Sequence, residues 1–285
     1  MKNMIEYYYN IRIDELYNKK DYYFFDISGN YYIFKPYSNS LDRSNDIYNI
    51  NMFLNNMIRM DNIILNRYNE PTTNINNVIY ILIRKNDEYS LSLVNIANMA
   101  NMNNMYLLNM HNLERNNWEM LWSNMIDYYI GLTENAISYI VNTKNNIHKE
   151  ISDTMVLSHN TLEKGLNDPE NIILDHKARD VAEYIKWSFF NNNKNIFNEL
   201  DEYFKYNYYS FYGIQILFGR VLYPSFYFNI YDKIISNKID EKELNIIISK
   251  NKEYERYLYD IYLYLSRYYA LAVPEWIKKQ GTNPR

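Results

Sequence analysis

The chain has 285 residues, 47% of them hydrophobic and 22% charged, which excludes a wholly disordered polypeptide and allows one large domain or two lobes. A formal net charge of −4 leaves no basic footprint, so nucleic acid is not expected as a partner. The absence of cysteine excludes disulfides and thiolate metal sites, and the four histidines are scattered.

The opening, Met1 to Asn10, mixes charges with tyrosines and has no apolar core of a secretory signal. Apolar runs further on are broken by Asn or charge and fall short of the ~20 residues a membrane span needs. The expectation is a protein without a transmembrane segment that stays in the cell that makes it. The 33 tyrosines admit two readings. One is a surface made for stacking or oxidative cross-linking; the other is drift toward A/T-rich codons, which the even spread along the chain favours.

Tyr22 to Ile27 and Tyr31 to Phe34 are β-rich runs joined by Ser28-Gly29-Asn30, a hairpin signal. Arg43 to Arg59 follows as a helix, with Ile47, Ile50, Phe53, Leu54 and Met57 at helical spacing. Val78 to Ile83 and Tyr89 to Val94 are two more expected strands, separated by the polar turn Lys85 to Glu88. From Trp118 the pattern becomes helical, interrupted by a non-helical island from about Met155 to Asp175 with turn signals at Gly165 and Asp168-Pro169. Ala178 to Phe190 is amphipathic, with Val181, Ala182, Ile185 and Phe189 on one face. Three further helical stretches are expected, the last carrying Tyr254, Leu258, Ile261 and Leu265 on one stripe. The fold class is therefore α+β, a protein kinase-like two-lobed order. A small mixed sheet lobe (residues 1–103) precedes a larger, mainly helical lobe (residues 104–285), with the linker between Asn95 and Leu113.

Phosphoryl transfer on such a scaffold needs a glycine-rich loop over the phosphates, a strand lysine with a glutamate partner, a catalytic aspartate and metal ligands. Lys35, closing the run Tyr32-Ile33-Phe34-Lys35, stands where the phosphate-binding lysine belongs. No glutamate follows on the helix, where Asp46 is the only acid. Gly29 is the single glycine of the first hairpin, so a glycine-rich loop is absent. His159-Asn160-Thr161 occupies the place of a His-x-Asp catalytic loop, but Thr161 cannot accept a proton as a carboxylate does. Asp175, ending Ile172-Ile173-Leu174-Asp175, stands where a metal-binding aspartate belongs; the second ligand falls on Leu166, with Asn167 as a neighbouring substitute.

The run Asp175-His176-Lys177-Ala178-Arg179-Asp180-Val181-Ala182-Glu183-Tyr184-Ile185 resembles the Asp-His-x-x-Arg-Asp-Leu-Ala-Glu-Trp segment of the CotS/YutH-type spore coat family, which is similar to aminoglycoside phosphotransferases. Tyr8-Tyr9-Asn10-Ile11, Arg220-Val221-Leu222-Tyr223-Pro224, Tyr227-Phe228 and Pro274-Glu275-Trp276 agree with the same family. The resemblance implies a kinase-like fold and a place in the endospore coat, reached from the mother-cell cytoplasm, with other coat proteins as partners.

No catalytic residue is assigned, no metal site and no cofactor are expected, and Lys35 with Asp175 form a remnant nucleotide or metal site. His159, Arg179 and Asp180 are expected to hold the polar island in place. Asp175 is then dispensable for assembly, whereas loss of Asp180 destabilises the fold. The alternatives are an active ATP- and magnesium-dependent phosphotransferase with a rearranged base, and nucleotide binding without turnover.

Overall fold

A computed structural model of the chain describes residues 1–55, 60–86, 92–101, 110–113, 120, 123, 155–159, 167–236 and 238–271. Two compact units make up the chain: Met1–Leu91 with Asn103–Glu114 and His159–Leu174, and Ser92–Met102 with Arg115–Ser158 and Asp175–Arg285.

The first unit opens on helix α1 (Lys2–Tyr9), followed by strands β1 (Ile13–Asn18), β2 (Tyr22–Asp26) and β3 (Tyr31–Pro36). Helix α2 (Leu41–Leu54) and strands β4 (Asn62–Ile63), β5 (Thr72–Ile75) and β6 (Val78–Arg84) complete it. The sheet runs β1-β2-β3-β6-β4, with β5 also paired to β6. Every described pairing in it is antiparallel, so the expected small sheet is present but is not mixed. The pairs β1–β2, β2–β3 and β5–β6 are joined by short turns, which can only reverse direction, whereas a parallel pair needs a long crossover.

Helix α1 and strands β1 and β5 go beyond the sequence reading. Ile5 and Tyr9 of α1 pack with Ile13, Phe24, Tyr32, Phe34, Ile75 and Leu82 into one apolar cluster. The Tyr9 hydroxyl shares a 2.9 Å hydrogen bond with Thr73. Asn10 ends α1 in the left-handed region at φ 52°, a conformation asparagine tolerates. Asn76 and Asn77, at φ 51° and 65°, form the two-residue turn between β5 and β6, the double positive φ that a type I′ hairpin requires. Ser40 caps α2 by accepting the Arg43 amide, and Ile47, Ile50 and Leu54 of the expected stripe are buried.

In the second unit the run expected as a strand from Tyr89 ends otherwise. Leu93 and Val94 begin helix α3 (Leu93–Ala100), while residues 89–91 lie outside the described residues. Ser92 accepts the Asn95 amide as an N-cap, and Leu93, Ile96 and Met99 are buried at helical spacing, which overrides the β propensity of Val94. Strands β7 (Met155–His159) and β8 (Ile172–His176) form a separate two-stranded sheet.

Helix α4 spans Ala178–Phe190, the range expected. Five described helices follow it where three were expected: α5 (Ile196–Tyr206), α6 (Phe211–Leu222), α7 (Ser225–Ile235), α8 (Lys242–Ser249) and α9 (Asn251–Leu265). Breaks such as Tyr223-Pro224, where the backbone turns out of helix between α6 and α7, divide this part of the chain into more and shorter helices. Tyr254, Leu258, Ile261 and Leu265 of α9 are buried on one stripe as expected. No described helix is long and apolar enough to cross a membrane.

Candidate functional site

Lys35 lies one residue before the end of β3, opposite Ile81 of β6. Its ammonium sits 2.5 Å from Glu170 Oε2 and 3.4 Å from Asp168 Oδ2. Burial pushes the Lys35 pKa down, but the two carboxylates more than offset that and leave it raised. Glu170 belongs to the 3-10 turn Pro169–Asn171, which Asp168 caps by accepting the Glu170 amide at 3.0 Å. The first turn of α2 contributes a cation instead: Arg43 donates to the carbonyls of Asn112 (2.8 Å) and Ile172 (3.0 Å). The glutamate partner missing from α2 is thus supplied from a segment the sequence reading treated only as a turn.

The hairpin before Lys35 is closed on itself. The Asp26 carboxylate accepts the amides of Ser28 and Asn30 at 2.9 Å each, the Asn30 side-chain amide at 2.8 Å and the Tyr32 hydroxyl at 3.1 Å. Desolvation would raise the Asp26 pKa, yet these hydrogen bonds hold it below the usual carboxylate range. Gly29 takes φ 81° to make the turn. The amides of Ser28 and Asn30 are thus donated to a protein carboxylate, while the first hairpin of the sheet is β1–β2, whose turn, Lys19-Lys20-Asp21, carries no glycine.

Asp175, the fourth residue of β8, is fully buried. Its Oδ1 accepts from Arg220 Nη2 at 2.9 Å and from the His176 amide at 2.6 Å, and Arg179 Nε lies 3.9 Å from its Oδ2. The spacing Asp175, Arg179, Glu183 and Lys186 puts successive opposite charges on neighbouring turns at the start of α4. Arg179 Nη1 stands 3.3 Å from Glu183 Oε1, and Lys186 Nζ lies 2.5 Å from the same oxygen. Lys186 also donates to the carbonyls of Arg220 (3.1 Å) and Tyr223 (3.0 Å) and to Ser225 Oγ (2.8 Å), while the Ser225 hydroxyl donates to Glu183 Oε2 at 2.8 Å. Desolvation opposes the charge on Glu183, but Lys186, Arg179 and Ser225 hold its pKa at about 2. Burial lowers Lys186 to about 8, with Glu183 working against the drop. The late motif Arg220 to Pro224 therefore meets the Asp175 to Ile185 run through one ionic network.

His176 completes this node. Its Nδ1 accepts the Ala178 amide at 3.1 Å, capping α4 in place of Lys177, whose side chain makes no capping bond. Burial first, then Arg220 and Lys177, lower its pKa to about 3, so the ring is neutral. Asp180, in the first turn of α4, is buried near the positive end of the helix dipole.

A magnesium ion demands several oxygen ligands at ~2.0–2.1 Å in near-octahedral array. Both Asp175 oxygens face protein cations or an amide, and no group of three or more His, Asp or Glu suited to a metal occurs among the described residues. Among the described residues, the donor set around Asp175 does not fit a divalent cation. Asn167, the substitute second ligand, is buried, with its carbonyl accepting the Asp61 amide at 3.1 Å.

Lys35 and Asp175 belong to different units, and each has its own set of ion-pair partners. The backbone of His159 ends β7. Thr161, Leu166, most of the Trp118 to Ile147 stretch and Pro274-Glu275-Trp276 lie outside the described residues. Glu170, Glu183, Lys186 and the role of Arg220 escaped the sequence reading; only the i, i+4 spacing of Asp175, Arg179 and Glu183 could have signalled part of the network.

Residues 94–261 match the sequence profile of the family described as "Spore coat putative kinase YutH". The chain is 29% identical over 176 residues to the endospore coat-associated protein YutH of Bacillus subtilis (strain 168), a match covering 55% of this chain. The chain spans about half the length of that curated relative, 52%. Among solved structures it is similar to an aminoglycoside phosphotransferase from Alicyclobacillus acidocaldarius subsp. acidocaldarius DSM 446, with 10% identity, 94% of this chain and 97% of that one covered, and a TM-score of 0.63. It is also similar to amicoumacin kinase hAmiN in complex with AMP-PNP, Ca2+ and Ami, with 12% identity, 88% and 91% covered, and a TM-score of 0.55. At these identities the structural likeness shows the fold alone, which is the expected α+β kinase-like one.

Proposed function

The chain belongs to the spore coat YutH family, and from that membership and its kinase-like fold we propose that it is an endospore coat component acting by protein interaction rather than by catalysis. The observation that carries the non-catalytic part is Asp175, whose carboxylate is taken up by Arg220, Arg179 and the His176 amide. The threonine at position 161 and the lack of glycine in the β1–β2 turn, Lys19-Lys20-Asp21, support the same reading, because nucleophile orientation and phosphate positioning are both deprived of their usual groups. Other coat proteins are the partners this reading names, with synthesis in the mother-cell cytoplasm and the sheet lobe to about residue 103 followed by the helical lobe. His159, Arg179 and Asp180 keep a structural role in it, and the buried pairing of Asp175 with Arg220 supports a like role for Asp175.

A second reading has its own observation. The Lys35 ion pair with Glu170 and Asp168 restores a lysine–carboxylate arrangement that a nucleotide site requires, which favours retained ATP binding or an ATP- and magnesium-dependent phosphotransferase.

A fluorescent fusion expressed from the native promoter tests the leading reading. The signal is expected only in sporulating cells, first in the mother cell and then around the spore, with the protein recovered in the coat fraction. A signal confined to vegetative cytoplasm overturns it.

A further inference from the structure

We propose that the Arg220 guanidinium is a built-in replacement for the divalent cation at Asp175, so that this node is held together without metal. The inference rests on the non-catalytic reading above and deepens it, from a site that has lost its partners to one that has been given a different partner.

Three features of the node carry it. Arg220 comes from α6, far along the chain from β8, yet its Nη2 reaches Asp175 Oδ1 at 2.9 Å while Asp175 is fully shielded from solvent. A buried carboxylate needs a compensating charge, and a guanidinium is permanently charged and weakly hydrated, so it neutralises the group without the water shell a magnesium ion keeps. The backbone around Arg220 is itself fixed, because Lys186 donates to the carbonyls of Arg220 and Tyr223 at 3.1 and 3.0 Å. Lys186 is anchored in turn on Glu183, which also faces Arg179. The backbone that carries the cation at Asp175 is thus tied to a second ion pair one turn further along α4.

Among the described residues, ion pairs join Asp175 and Glu183 to Arg179, Arg220 and Lys186. A dication added beside Asp175 would meet two guanidinium groups already within 4 Å of it, so like-charge repulsion opposes binding.

The test uses the full-length chain, freed of metal by chelation, with Mn2+ as the probe read by loss of its free-ion electron paramagnetic resonance signal. Thermal melts are run with and without excess Mg2+. The wild type is expected to bind no Mn2+ at concentrations up to about 1 mM and to melt at the same temperature in both conditions. Arg220→Met is expected to melt lower, to regain part of the loss in Mg2+, and to bind Mn2+ at least about tenfold more tightly than the wild type. Arg220→Gln, which keeps a hydrogen-bond donor toward Asp175 without the charge, is expected to do the same and serves if the methionine variant does not fold. Mn2+ binding by the wild type that Asp175→Asn removes overturns the inference. So do Arg220 variants that bind no Mn2+ and gain nothing from Mg2+, including variants that fold in neither condition. Phosphate transfer from ATP, measured on the same samples, separates the two claims. Turnover by the wild type overturns the non-catalytic reading, whereas Mn2+ binding without turnover overturns only the replacement of the metal by Arg220.

Discussion

His176 owes its neutral ring to burial and to the cations Arg220 and Lys177 beside it, which take its pKa from 6.5 to about 3. Within that window the unfolded chain binds a proton that the folded one does not, so stability falls as pH falls from 6.5 toward 3. Protonation also removes the acceptor that caps Ala178. His176→Asn, which keeps an oxygen able to accept that amide, is expected to flatten the acid limb by about 2 kcal/mol between about pH 7 and pH 5, measured by urea unfolding at each pH. Glu183 adds a later step of the same sign. Its pKa is about 2 in the fold against 4.5 for the free group, so its stabilisation is complete above 4.5 and is lost on descent toward 2. Lys186→Met strips Glu183 of its nearest cation and leaves the Arg220 and Tyr223 carbonyls without their ammonium donor. Breaking a buried pair from one side costs roughly 3–5 kcal/mol, and a fall of that size in urea unfolding free energy is expected.

At the scale of elements, the β2–β3 hairpin gives the clearest case of a local sequence rule put to a different use. Gly29 is there for its φ of 81°, and a Cβ added at that position would meet nothing within 4 Å. Gly29→Ala is therefore expected to cost about 1 kcal/mol through backbone strain alone, without any packing defect. A loss several times larger in thermal or urea unfolding would mean that the turn does more than reverse the chain. Helix α4 was legible to the residue because its apolar face, its acidic first turn and the change from β8 all coincide. Helix α1 was not, because eight residues with three consecutive tyrosines have little intrinsic preference, and burial of Ile5 and Tyr9 in the sheet core decides the matter. The asparagine pair at 76–77 was missed for a related reason: Asn-Asn is a weaker hairpin signal than Asn-Gly, although both residues can take positive φ.

For the molecule as a whole, the kinase-like fold and the threonine at position 161 meet in one expectation. Thr161→Asp restores a carboxylate at the sequence position of the catalytic base, a change worth about 10²–10⁴-fold where the other parts are present. Here the β1–β2 turn, Lys19-Lys20-Asp21, carries no glycine, and Asp175 is bound to arginine. Groups that act as a unit do not recover singly, so phosphate transfer from ATP by the variant is expected to stay at background in a radiolabel assay with magnesium. Magnesium-dependent transfer by the variant or the wild type, abolished by Asp175→Ala, would make the phosphotransferase reading the better one.

The sequence by itself determined the kinase-like class, the family and the most periodic elements such as α4, because periodicity, turn residues and the run from Asp175 to Ile185 are local properties of the chain. It also marked Lys35 and Asp175 as residues at informative positions. What those residues touch was decided only in three dimensions. Glu170 stands 135 positions after Lys35, and Arg220 stands 45 after Asp175, so no spacing rule links either pair. Ion pairing depends on distance in space and on exclusion of water, and both arise only once the strands and helices have packed.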